Sequence, residues 1–211
     1  MDKYKKIVDH YEDCLDKHGD THKGVDWPNL EDVQTRYRVM LDVHRFDTFG
    51  PNVPSVLDFG CGAGHMLSYM NENDMSNWKY IGLDLSEKFV SLCKQKFPNQ
   101  EFVQLDVLKE PYQSEICDYI VMNGVFTEKR EMSYEEMLAY FEEMLEKVFP
   151  LCKRGIAFNT MSKAVDWERD DLFHLPMDTL MSFASKKLSR NVIMRNDYGL
   201  YEYTTYIYHS K

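Results

Sequence analysis

The five cysteines, Cys14, Cys61, Cys93, Cys117 and Cys152, include no C-x-x-C pair and are odd in number. Such a set argues against a disulfide framework, shows no metal-like spacing among the cysteines, and suits free thiols in a reducing compartment. No apolar run approaches the roughly 18 residues a membrane span needs, and Met1-Asp2-Lys3-Tyr4-Lys5-Lys6 has no apolar signal core. A soluble, cytoplasmic protein without membrane association is expected. Basic charge is short as well: 25 Lys and Arg face 35 Asp and Glu, a formal net charge of −10. A nucleic-acid backbone is therefore not expected as a partner, since approach would begin with repulsion, and small substrates are favoured. The cluster Lys186-Lys187 with Arg190 is short and reads as a solvated helix end. No internal repeat and no low-complexity stretch interrupts the 211 residues, a length that suits one α/β domain with a full core.

What is present centres on Val56 to Gly64, V-L-D-F-G-C-G-A-G. Ser55 to Phe59 is a short apolar run after Pro51 and Pro54, as in a buried parallel strand. Gly60, Gly62 and Gly64 follow, and His65 to Asn71 resumes helical spacing. Glycines there permit positive φ and let backbone N–H groups and a helix N-terminus approach a ligand. Two further acids close strand-like runs: Asp84 after Tyr80-Ile81-Gly82-Leu83 and Asp106 after Phe102-Val103-Gln104-Leu105. The steps from Asp58 to Asp84 and on to Asp106 each fit one strand, one helix and two turns. All three acids thus fall on one sheet edge, where open α/β sheets bind ligands.

An adenosine-type ligand would use Asp84 for its ribose hydroxyls and Asp106, with the next backbone N–H, for the adenine amino edge. The dinucleotide pattern G-x-G-x-x-G would need a glycine where the chain has His65. Asp58 would also repel a pyrophosphate but accept from an amino-acid ammonium, which points to a zwitterionic cofactor.

Together V-L-D-F-G-C-G-A-G, Y-I-G-L-D-L-S, F-V-Q-L-D-V and C-D-Y-I-V-M-N-G resemble the successive motifs of class I S-adenosylmethionine-dependent methyltransferases. The resemblance covers about Pro54 to His209. It implies a three-layer, doubly wound α/β fold whose mostly parallel seven-stranded sheet has a reversed last strand, with a helical lid over residues 1–50 and the cofactor domain over 51–211. It also implies S-adenosylmethionine as cofactor, S-adenosylhomocysteine as product, and a donor site of Asp58, Gly60, Cys61, Gly62, Gly64, Asp84, Leu85, Asp106, Val107, Asn123 and Gly124. Arg36 is a candidate partner for the methionine carboxylate.

Along the chain, Tyr4, Ile7, Val8, Tyr11 and Leu15 form one face of a first helix that ends by Gly19. Asn29 caps a second helix carrying Leu30, Val33, Tyr37, Met40, Leu41 and His44. Ser86 caps a crossover helix, and Ser133 with Glu136 forms a capping box. Ile116 to Met122 reads as the fourth strand, with Asn123-Gly124 at its end, and Gly155 to Asn159 as the fifth. Met161 to Pro176, rich in Trp, His and charge, reads as an acceptor lid. Asn191 to Arg195 and Tyr201 to Tyr208 read as a closing hairpin.

Methyl transfer from a sulfonium is an in-line displacement that asks for alignment and desolvation. A hydroxyl acceptor gains from a general base, for which His174 ranks first, then His18, then Glu128. No metal is expected, because no spaced His and carboxylate set stands out. The acceptor is expected to be a small molecule, a hydroxyl of a sugar or secondary-metabolite intermediate, and the chain a possible homodimer. Rival readings are an aminopropyl transferase, a nicotinamide-dependent oxidoreductase and a non-catalytic cofactor-binding module.

Overall fold

The computed structural model describes residues 3–114 and 116–210. A single sheet runs through it in the order β3-β2-β1-β4-β5-β8-β7. Its strands are β1 (Ser55–Phe59), β2 (Lys79–Asp84), β3 (Glu101–Gln104), β4 (Cys117–Phe126), β5 (Cys152–Ser162), β7 (Asn191–Arg195) and β8 (Glu202–Tyr208). A two-residue β6 (His174–Leu175) pairs with the end of β5. Pairing is parallel from β3 through β5, and β8 lies antiparallel to both β5 and β7. Seven strands with a reversed last strand were expected; β6 is the addition, and it lies inside the segment read as an acceptor lid.

Residue alternation along the strands builds the two outer layers. From β1 and β4, Leu57, Ile120 and Met122 face α5 (Tyr134–Val148) and α6 (Met177–Phe183), which bury Phe141, Leu145, Val148, Leu180 and Phe183 against them. Val56, Tyr119 and Val121 point the other way, to α2 (Leu30–Leu41), α3 (His65–Glu72) and α4 (Glu87–Lys96), through Met40, Leu67, Met70 and Val90. The methionines of α5 are core, as their helical spacing required.

Local chemistry sets the helix starts. Asn29 accepts from the Glu31 N–H at 2.9 Å, Ser86 from the Phe89 N–H at 3.2 Å, and Ser133 and Glu136 form the reciprocal box at 3.2 and 3.0 Å. The two N-terminal helices divide in role. Helix α1 (Lys5–His18) lies over the strand ends, whereas α2 buries Val33, Tyr37, Met40 and Leu41 in the core beneath the sheet.

Strand β4 continues past the expected boundary at Met122. Its register to β5 slips between Met122 and Phe126, and the bulge carries Gly124 at φ +81°. The side chain of Asn159 on β5 accepts from the Gly124 N–H at 2.8 Å, replacing a ladder bond. Asn123-Gly124 is therefore a bulge inside a strand, not its end.

Candidate active site

The loop after β1 is tied to β2 by backbone bonds. Gly60 and Cys61 donate to the Leu83 carbonyl at 2.7 and 3.0 Å, and Gly62 donates to Asp84 Oδ2 at 2.8 Å. Asp84 Oδ1 accepts from the Ser86 N–H at 2.8 Å, so one carboxylate holds both the loop and the start of α4. Gly60 sits at φ +75°, and a Cβ there would meet Val125 Cγ2 at 2.7 Å. Only glycine fits.

Above this loop lies a cavity of about 150 Å³. Asp58, Gly60, Cys61, Gly62, Asp84, Leu85, Asp106, Val107, Asn123 and Gly124 all line it, so the structure brings together ten of the residues named from sequence. Tyr4, just before α1, Ile7, Val8 and Tyr11 of α1, and Val25 and Trp27 also line it. Gly64 stands just behind, at φ +72°, as the residue before α3.

Arg36 departs from expectation. Its Nε donates to Glu202 Oε2 at 2.8 Å, and its guanidinium lies 4.1 Å from the Trp27 ring centroid. Glu202 is buried, and the Asn159 amide also donates to it at 2.9 Å. A buried carboxylate demands a cation, so Arg36 serves the start of β8 instead of lining the glycine-loop cavity. The aromatic lining contributed by Tyr4, Tyr11, Trp27, Tyr37 and Tyr140 was not named from sequence as part of the site. The helical spacing of Tyr4 and Tyr11 showed an apolar face but not the surface that receives it.

The acids of the cavity are unequal. Asp58 is almost fully buried, and burial pushes its carboxyl up to about 7; the Tyr80 hydroxyl, donating at 2.8 Å, pulls it down, and Asp84 pushes it up again. Burial also raises Asp84, against the backbone donors from Ser86 and Gly62. Asp106 accepts from the Tyr4 hydroxyl at 2.7 Å and the Leu108 N–H at 3.2 Å. Cys61 is held well above the ordinary thiol range by its contact with Cys93 and by burial, so it is a protonated filler of the turn.

A second cavity of about 550 Å³ adjoins the first, with Trp27 in both walls. It contains all three candidate bases, His18, Glu128 and His174. His174 does not have the freedom expected of a base. It is buried in β6, its Nδ1 lies 2.6 Å from the Ser162 carbonyl, and its Nε2 accepts from the Arg169 N–H at 3.3 Å. With Nδ1 donating, both nitrogens are spent on backbone groups that β6 and the preceding turn would otherwise leave unpaired. Glu128 is buried too. Its carboxyl is raised by burial, lowered by Arg130 Nη1 at 3.3 Å, and raised by Asp26 and Asp171. His18, at the end of α1, is exposed.

The first cavity fits a zwitterionic adenosyl cofactor on its own features. Among the described residues, Asn123 Oδ1 is buried there with no hydrogen-bond partner, and Asp58 has no cation to favour its charged form. The glycine cradle leaves backbone close to the ligand space. Among the described residues no helix is long and apolar enough to cross a membrane.

Comparison with known proteins agrees. Residues 56–148 match the model of the methyltransferase domain family. A Mycobacterium tuberculosis protein named as a methyltransferase is 28% identical over 152 residues, which are 71% of this chain and 90% of that one. The crystal structure of magnesium protoporphyrin IX methyltransferase from Synechocystis, with S-adenosylmethionine bound, superposes with a TM-score of 0.66 at 15% identity, covering 100% of this chain and 98% of its own. The plantazolicin methyltransferase, solved with S-adenosylhomocysteine, gives 0.62 at 14% identity and 99% coverage of both chains. Residues 56–148 thus match the methyltransferase domain family, and the chain as a whole shares the Rossmann-like fold of structures solved with S-adenosylmethionine or S-adenosylhomocysteine bound.

Proposed function

We propose that the chain methylates a hydroxyl of a small molecule held in the second cavity, with Glu128 as the general base. The observation that carries this reading is Trp27, which lines both cavities and so puts the acceptor space beside the donor space. In the donor cavity Asp84 would take the ribose hydroxyls, Asp106 and the Val107 N–H the adenine edge, and Asp58 with Asn123 the amino-acid end. When bound, S-adenosylmethionine supplies an activated methyl on a sulfonium. The chain's part is to orient the acceptor, exclude water and remove one proton.

Glu128 suits that last task. Burial raises its affinity for a proton toward the working range of a base, and Arg130 holds the side chain in place. The structural neighbours named for magnesium protoporphyrin IX and for plantazolicin support an acceptor other than a nucleic acid. The test supplies labelled methyl donor with a cell extract separated into small molecules and macromolecules. Label should enter the small-molecule fraction. Glu128→Gln should slow transfer by ~10²- to 10⁴-fold while S-adenosylhomocysteine affinity stays constant. Label in protein or nucleic acid alone would overturn the acceptor class, and an undiminished rate in Glu128→Gln would remove the base.

A further inference from the structure

Away from the donor cavity, three potential metal ligands from two elements converge. His10 and Cys14 sit four residues apart on one face of α1. Asp26 comes from the loop that follows, at the left-handed conformation φ +58°, with its N–H bonded back to the 22–25 turn. His10 Nε2 lies 2.8 Å from Asp26 Oδ2 and 3.8 Å from Cys14 Sγ, and one donor atom from each residue falls within 4.8 Å of the other two.

These separations are close to those of a metal's coordination sphere. Bond lengths of about 2.0 Å to nitrogen and 2.3 Å to sulfur at a tetrahedral angle put the two donors about 3.6 Å apart. The observed 3.8 Å between His10 and Cys14 needs almost no adjustment. The contact of 2.8 Å between His10 and Asp26 is a hydrogen bond that would open by about half an ångström to admit a cation. Cys14 is the one cysteine of the five that is not buried, so a cation can reach it. The neighbouring cation, Arg130, is already paired with Glu128 and Asp171.

We propose that His10, Cys14 and Asp26 form a three-ligand site for a zinc-class divalent cation, pinning the loop that carries Trp27 onto α1. On binding, the Cys14 thiol releases its proton to solvent and a sulfur–metal bond replaces the S–H bond. The two negative charges of thiolate and carboxylate then balance the cation. A soft thiolate with an imidazole selects zinc, or cobalt as its spectroscopic substitute, over magnesium or calcium. The consequence is structural: Asp26 and Trp27 border the second cavity, so a filled site fixes that wall.

The experiment titrates Co²⁺ into the reduced, chelator-treated full chain under anaerobic conditions. One equivalent should bring up a thiolate-to-cobalt charge-transfer band in the near ultraviolet, and Zn²⁺ should bleach it. Cys14→Ser should abolish the band, and His10→Ala or Asp26→Asn should weaken binding by about 10-fold or more. Excess Zn²⁺ should raise the melting temperature of the unmodified chain but not of Cys14→Ser. Absence of the band, or its survival in Cys14→Ser, would reduce the cluster to an ordinary hydrogen-bonded pair beside a thiol. Should Cys14→Ser fail to fold, the His10 and Asp26 variants decide the matter, since a band indifferent to both is equally contradictory.

Discussion

Asp58 should make cofactor binding depend on pH in a window that ordinary carboxylates leave flat. Burial lifts its carboxyl to about 7 in the cofactor-free protein. A ligand ammonium beside it would favour the charged form, so binding selects the ionised fraction and expels a proton from the remainder. That fraction is about a tenth at pH 6 and about three quarters at pH 7.5 for a group titrating near 7. Affinity should therefore rise about 8-fold across the interval, or ~1.2 kcal/mol. Calorimetry in two buffers of different ionisation enthalpy should show nearly one proton released at the acid end. Asp58→Asn should flatten the dependence.

Stability should move the opposite way. A folded-state value raised above the ~3.9 of an unfolded aspartate means that the contribution is intact below about pH 4 and is lost as pH rises through about 7. The ionised carboxylate then costs on the order of 4 kcal/mol in the empty site, and Asp58→Asn should be the more stable protein at neutral pH when no cofactor is bound. A flat affinity profile in the unmodified protein, or an unchanged slope in Asp58→Asn, would refute the placement of an ammonium at this residue.

Three further outcomes follow from single contacts. Asp84→Ala should weaken S-adenosylmethionine binding by ~1.5 to 3 kcal/mol, because ribose hydroxyls lose a charged acceptor and Gly62 loses its anchor; calorimetry with unchanged affinity would exclude it from the site. His174→Ala should lower stability to chemical denaturant by ~1 to 3 kcal/mol, by stranding the Ser162 carbonyl and Arg169 N–H, and should leave donor affinity alone. An unaltered denaturation midpoint would return His174 to the list of free bases. Arg36→Met should cost ~3 to 5 kcal/mol by leaving Glu202 buried without its cation, with much of the loss recovered when Glu202→Gln is added; intact stability with weakened donor binding would instead make Arg36 a cofactor ligand.

The acids of the glycine-loop cavity were legible because the βαβ period is local arithmetic: a strand, a helix and two turns return the chain to the same edge. Asp58, Asp84 and Asp106 therefore converge whatever fills the core. The bulge at Asn123-Gly124 was not legible, since it depends on the amide of Asn159, 35 residues on and on another strand. His174 was misread for a related reason. Residue type and loop composition suggested a free imidazole, but availability depends on partners, and the short β6 pairing supplies two of them. Arg36 repeats the lesson, because its partner Glu202 lies in the last strand.

What sequence did convey was the sign of the chemistry, and the structure explains why that signal is strong. Asp58 and Asp84 lie within reach of each other's charge in a site where burial already penalises both. A core selected for stability alone would replace them with apolar side chains of similar size. Asp84 offsets part of that penalty by holding Gly62 and Ser86, and a cation with hydrogen-bond donors would offset more of it; the zwitterionic, ribose-bearing cofactor supplies both. The orphaned Asn123 oxygen extends the same logic to a neutral group: it is a buried acceptor left unpaired until a ligand donates to it. The local cost in the empty site is thus the reason for expecting that the cofactor stabilises this chain more than its contact area alone would suggest.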